Sequence, residues 1–236
     1  MKHHISRILP ALIALLLTLP SHAALALTHQ PHAPGIESKD YVWNKPDKEM
    51  EKALGHKGDP VKGKALYKGC TGCHKADASG RDDGSYPQLA GQHVTVLVKQ
   101  LIDVRTGRRD NDKMHPFAAE EVLTTEDVAD IAAYLNKLPT PATNSRGEGK
   151  RLEKGKALYV KDCAICHGDN GEGNDKEFYP MVAAQHYPYL LREARIIRDG
   201  VRRNANMKMV KAIGQYSEED LEAVGDYMSR LLPPAK

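Results

Sequence analysis

Two five-residue segments, Cys70-Thr71-Gly72-Cys73-His74 and Cys163-Ala164-Ile165-Cys166-His167, contain all four cysteines of the 236-residue chain. In such a segment the two thiols lie about one helical turn apart, and each can form a thioether with one vinyl group of a haem. The adjoining imidazole then reaches the iron, so attachment and ligation on one face come from the same five residues. A redox Cys-x-x-Cys followed by a chance His competes for a single segment of this kind, as does zinc. Zinc would need a fourth ligand beside each Cys₂His set, and two segments that leave no cysteine over favour haem. The expected cofactors are therefore two covalently bound haem c groups, attached through Cys70, Cys73, Cys163 and Cys166. His74 and His167 are the expected iron ligands, with no disulfide and no free thiol left.

The opposite face of each iron decides between a carrier and a catalyst. Met114 and Met207 each lie 40 residues beyond the motif His, in the matching frames Arg109-x-Asn111-x-x-Met114 and Arg202-x-Asn204-x-x-Met207. A thioether is a soft ligand that favours ferrous iron, and the equivalence of the two positions makes both methionines expected ligands. The competing reading is a pair of gap-filling core methionines. Met209 is a rival in the second frame, where the first has Pro116, and His115 is a weaker substitute for Met114. His93 and His186 head matching segments and read as surface residues at helix starts, with a haem propionate or the iron as alternative partners.

The elements that must hold these groups are written twice. The motifs are 93 positions apart, and the same offset relates Tyr86-Pro87 to Tyr179-Pro180, Gln92-His93 to Gln185-His186, Gly107 to Gly200, and Tyr134 to Tyr227. Upstream, Lys62-Gly63-Lys64-Ala65-Leu66-Tyr67 matches Lys154-Gly155-Lys156-Ala157-Leu158-Tyr159 with one residue inserted before Cys163. The expected division is a signal peptide over 1–26, an arm over 27–58, domains over 59–138 and 150–236, and a linker over 139–149. Each copy is near the lower size limit for a core of its own. Each reads as mostly helix: Asp59-Pro60 starts one, residues 92–104 carry a helical apolar stripe, and Thr124 and Ser217 cap the last helices ahead of acidic first turns. Residues 27–58 have no repeat partner. Their composition reads as a flexible leader, the alternative being an arm that docks on the first domain or on a partner.

Lys2 and Arg7 ahead of the apolar stretch 8–19 read as an export signal, with cleavage after Ala23 or Ala26. The stretch is short of a membrane span, so the mature protein is expected to be soluble in a bacterial periplasm. Without Lys2 and Arg7, 32 basic residues face 31 acidic ones, which does not suggest nucleic acid. The chain has only two Phe and one Trp, and a buried haem in each copy would supply the missing aromatic bulk. Arg192, Arg195, Arg198, Arg202 and Arg203, with Lys208 and Lys211, make the second copy locally basic. They read either as a solvated face with some arginines pairing propionates or as a docking surface for an acidic redox partner.

The motifs, the segment Tyr86-Pro87-Gln88-Leu89-Ala90-Gly91-Gln92, the Arg-x-Asn-x-x-Met frames and the Glu-Asp-led terminal helices together resemble tandem class I cytochromes c. Over residues 59–232 they resemble most closely the diheme cytochrome c4 family. The resemblance implies an all-α fold of two cytochrome c domains facing each other through their haems, and periplasmic one-electron transfer. It implies that the Pro87 and Pro180 carbonyls accept from the Nδ1–H of His74 and His167. It also places Gly63 and Gly155 where first and last helices cross, against Tyr134 and Tyr227. The implied partners are redox proteins, a respiratory donor and a terminal oxidase or reductase, with association with a membrane-bound complex as an option. Two departures stand out: Ala184 replaces the Gly of the first copy, which is expected to shift that turn, and the arm is long. An enzyme or subunit of the peroxidase or sulfur-compound dehydrogenase kind is the alternative function, and a gas-binding haem protein a third.

Overall fold

The computed structural model describes residues 29–141 and 143–232; the expected export segment and its cleavage sites lie outside them. Among the described residues there is no strand, and a single isolated bridge joins Asn174 and Tyr179. No described helix is long and apolar enough to cross a membrane.

The first domain begins with α2 (Pro60–Leu66), whose N-cap Asp59 accepts from the amides of Val61 and Lys62 while Pro60 opens the helix. After α3 (Thr71–His74) come α4 (Val94–Arg105), α5 (His115–Ala118) and α6 (Thr125–Lys137). The second domain repeats them as α7 (Leu152–Leu158), α8 (Ala164–His167), α9 (Tyr187–Arg198), α10 (Met207–Ile213) and α11 (Glu218–Ser229). Reciprocal capping boxes, Thr124 with Asp127 and Ser217 with Asp220, start α6 and α11.

The first and last helices of each domain cross at a glycine. A Cβ on Gly63 would lie 2.0 Å from the Asp130 carbonyl oxygen, and one on Gly155 2.1 Å from that of Ala223. The absent side chain lets the backbones touch. Tyr67 packs against Tyr134 and Tyr159 against Tyr227 beside these crossings, with centroids 5.6 and 5.5 Å apart.

The two domains meet through a reciprocal set of bonds. Gln92 Nε2 donates to the Met181 carbonyl at 3.0 Å and its Oε1 accepts from the Met181 amide at 2.9 Å. Gln185 makes the same pair with Gln88, at 3.0 and 2.9 Å. His93 Nε2 donates to the Glu172 carbonyl, and His186 Nε2 to that of Ser79, both at 2.7 Å. Each partner lies 93 positions from its counterpart, so the contact is that of a two-fold dimer made within one chain. This corrects the expectation of surface histidines: His186 is 1 % exposed and His93 is half-buried. It also explains why α4 begins at Val94 rather than at Gln92, since Gln92 and His93 turn their side chains to the other domain.

Residues 29–58 are docked rather than a loose leader. Their helix α1 (Lys48–Gly55), capped by Asp47, buries Met50 and Ala53 in the first core beside Leu97, Ile102 and Ile131. Trp43 stacks on Tyr179 of the second domain, with centroids 5.6 Å apart and planes 15° apart. Glu37 pairs with Arg203 at 2.7 Å.

Candidate haem sites

Both attachment segments are built on the same plan. A tight turn, Tyr67–Cys70, leads into α3, which Lys75 ends with φ 62°. In the second copy a wider π-turn, Tyr159–Cys163, leads into α8, which Gly168 ends with φ 79°. The wider turn absorbs the residue inserted before Cys163 and returns the following helix to register. None of the four cysteines is paired in a disulfide, and all four line one cavity of about 640 Å³ that runs through both domains. Burial pushes the Cys70 thiol up, and burial with the nearby Asp162 pushes Cys163 up to about 12.

His74 and His167 are buried at the cavity wall. Each Nδ1 donates to a proline carbonyl, His74 to Pro87 at 3.1 Å and His167 to Pro180 at 2.9 Å. That bond orients the ring and leaves Nε2 for a metal. Burial, more strongly than any other influence, lowers both imidazoles from the ordinary His value, which keeps them in the neutral form that binds iron.

The methionines are placed unequally. Met114, the N-cap of α5, lines the cavity in the first domain. Met207 does not: it is the first residue of α10, is 51 % exposed and lies off the cavity wall. Met209 lines the cavity instead, packed against the core of Leu191, Ile197 and Leu221. The reason is helical phase. Asn206 caps α10 at Met207, so Met209 stands about 200° further round the helix. Met209, rather than the expected Met207, is thus the methionine of this frame that shares the cavity wall with His167.

Between the two halves the cavity wall is charged. Arg109 and Arg202, repeat equivalents, converge on Glu193 at 3.2 and 2.8 Å and on Gln100 Oε1 at 2.9 and 3.0 Å. Two half-buried guanidiniums share one carboxylate, and against the opposing effect of burial Arg109 and Arg202 lower Glu193 from the ordinary carboxylate value. The other arginines of the expected basic patch are also committed. Arg195 and Arg198 pair with Glu218, Arg198 with Asp199, and Arg203 with Glu37 and Asp110. Arg192 donates to the Gly84 carbonyl at 2.6 Å. These arginines are thus paired within the chain, with the Arg192 and Arg195 side chains still partly exposed.

A cavity with two cysteine pairs, two neutral imidazoles and a charged wall between the halves fits two haems, which the cysteine pairs and His74 and His167 would hold. Among the described residues no three His, Cys, Asp or Glu side chains gather as a separate metal site, so the zinc reading has no fourth ligand there.

Residues 60–139 and 152–232 each match the Cytochrome c family. The chain is 34 % identical to a cytochrome c4 of Thiocapsa roseopersicina, over 74 % of this chain and 93 % of that protein. It is 33 % identical to the "Thiosulfate dehydrogenase electron acceptor" of Stutzerimonas stutzeri, over 69 % and 78 %. The fold matches the crystal structure of reduced cytochrome c4 from Pseudomonas stutzeri with a TM-score of 0.67 and 27 % identity, covering 74 % of this chain and all of that one. It also matches thiosulfate dehydrogenase TsdBA from Marichromatium purpuratum, with a TM-score of 0.62 and 29 % identity, over 72 % of this chain and 40 % of that one. The chain is thus a tandem c-type cytochrome, each domain carrying covalent haem c. Within that class it belongs to the diheme cytochrome c4 family, whose business is electron transfer.

Proposed function

We propose that the protein is an exported, periplasmic carrier of single electrons in which both irons are closed by His and Met. Cys70 and Cys73 hold the first haem and Cys163 and Cys166 the second; His74 and Met114 ligate one iron, His167 and Met209 the other. The observation that carries this reading is the pairing, in one cavity, of each proline-anchored His with a sulfur from a different element of its domain. The haem supplies a one-electron couple. The chain keeps the same ligands in both oxidation states and excludes water from the metal, so little reorganises on transfer. Arg109 and Arg202, which share Glu193, would leave one positive charge on the cavity wall to offset a haem carboxylate. With both axial positions taken, electrons enter but substrates do not, which sets the carrier apart from a peroxidase.

The donor class we favour is a periplasmic sulfur-compound dehydrogenase, because relatives of this chain include a thiosulfate dehydrogenase electron acceptor and part of a TsdBA chain. The acceptor would be a terminal oxidase or reductase. The ligand assignment is tested in ferric holoprotein by the near-infrared sulfur-to-iron band. Two-haem intensity is expected; Met209→Ala should halve it and Met207→Ala should leave it intact. The reverse result restores Met207, and half intensity in the unaltered protein reopens the enzyme reading.

A further inference from the structure

Residues 29–58 precede the first residue matched by the Cytochrome c family, yet they are built into the frame of the first methionine. Gln30 is 8 % exposed and its amide serves three backbone groups. Nε2 donates to the Val104 carbonyl at 2.7 Å and to that of Arg109 at 2.8 Å, and Oε1 accepts from the Asn111 amide at 3.0 Å. Asn111 then accepts from the Met114 amide, through its carbonyl at 3.0 Å and its Oδ1 at 3.1 Å. One residue separates the arm from the sulfur-bearing one. The adjoining arm backbone is pressed on the same turn. Ala33 N donates to the Thr106 carbonyl at 2.9 Å, and a Cβ on Gly107 would lie 1.4 Å from the Pro31 carbonyl oxygen.

The equivalent glycine turn of the second domain has no arm residue against it. Gly200, the equivalent of Gly107, has the same left-handed backbone (φ 68° against 71°) with nothing within 4 Å of a Cβ built there. Asn204, the equivalent of Asn111, is instead held by Asp103 at 2.9 Å and Gln100 at 3.2 Å, both on α4 of the first domain. Domain pairing thus holds the Asn of the second frame, which the arm meets at Arg203, where the Ile36 amide donates to the carbonyl at 2.8 Å. In the first frame Arg109 reaches Glu193 of the other domain at 3.2 Å, but the Asn111 amide is held by Gln30 of the arm at 3.0 Å.

We propose that Gln30 is a positioning residue for the first haem: through the Arg109–Asn111 turn the arm holds the Met114 thioether against the iron. The proposal rests on the assignment of Met114 as a ligand. Without Gln30, two carbonyls and one amide lose their partner, the turn loosens, and the sulfur spends more time off the metal. An exogenous ligand then competes better at that iron alone.

The test is an imidazole titration of ferric full-chain holoprotein, with the reduction potentials of both haems measured alongside. A Met114→His protein, in which only the second haem keeps sulfur, assigns the two phases. In Gln30→Ala and Gly107→Ala the first haem should bind imidazole roughly tenfold more tightly, the scale of one net buried hydrogen bond, and its potential should fall. Gly200→Ala carries the same backbone strain without an arm contact and should leave the first haem as it was. Unchanged affinity and potential in Gln30→Ala, or equal effects of Gly200→Ala and Gly107→Ala on the first haem, overturn the arm's role while leaving Met114 as ligand. Absence of the first-haem sulfur band in the unaltered protein overturns the ligand assignment, and the arm's role with it.

Discussion

Gly63 and Gly155 are crowded almost identically, at 2.0 and 2.1 Å from a facing carbonyl, whereas Gly107 and Gly200 are matched in sequence and backbone but not in surroundings. The first pair serves contacts each domain makes within itself. The second pair serves contacts that depend on what lies outside the domain, and only Gly107 has the arm against it. The cavity-lining methionines, Met114 and Met209, also differ in their surroundings. Cores and attachment segments have kept their register through the duplication, while the loops that present sulfur have been rebuilt around different supports.

The largest effect expected from this contrast is at the helix crossings. Gly63→Ala and Gly155→Ala each drive a methyl into a backbone carbonyl that no rotamer change can move, and each should cost about 3 kcal/mol. Thermal unfolding of the holoprotein, followed at the haem bands, would show both variants lowered by a similar amount. If one crossing tolerates alanine and the other does not, the claim that the domain interiors are equivalent fails.

A smaller effect is expected at Gly91 and Ala184. The methyl of Ala184 was expected to shift its turn, but the turn is kept: Gly91 has φ 77° and Ala184 φ 56°. Each amide donates to a carbonyl at the end of its domain's last helix region, Gly91 to Leu135 at 2.8 Å and Ala184 to Leu231 at 3.1 Å. The second copy therefore carries the strain of a left-handed alanine. Ala184→Gly should relieve it for a gain of about 0.5–1 kcal/mol after the added freedom of the unfolded chain, and Gly91→Ala should lose about as much. Urea unfolding midpoints read both. A loss on Ala184→Gly would mean that the methyl, buried at 4 % exposure, packs well enough to outweigh the strain.

Haem attachment and the duplicated all-α plan were legible because each is fixed by local spacing: Cys-x-x-Cys-His, the 93-residue offset, the capped terminal helices. The second sulfur was not. An ungapped match sets Met207 opposite Met114, but which sulfur faces inward depends on where α10 starts. Asn206, a good N-cap just before Met207-Lys208-Met209, was the available signal. His93 and His186 were misread because a polar residue at a helix start is usually solvated; here each reaches a carbonyl that exists only once the domains pair. The arm was hidden for a similar reason. Gln30 binds backbone groups, and backbone acceptors leave no trace in composition.

The smallest effect concerns acid and the arm. The hydrogen bond from Arg203, with the amides around Gly35, holds Glu37 down to about 2 from an ordinary 4.5. A depressed carboxylate stabilises the folded state fully above its unfolded pKa and loses that contribution as pH falls through the folded value. Attachment of residues 33–37 should therefore weaken between about pH 4.5 and 2, and the Glu37 side chain is exposed enough for salt to mute the effect. The readout is hydrogen exchange at the Ile36 amide, which donates to the Arg203 carbonyl at 2.8 Å, corrected for intrinsic rates. Its protection should decline across that window in the unaltered protein. In Glu37→Gln it should start lower and stay flat, while the Ala184 amide of the second domain should respond identically in both proteins. A decline of the same size in Glu37→Gln would assign the acid response to other carboxylates and leave Arg203 bonded to the arm through backbone carbonyls alone.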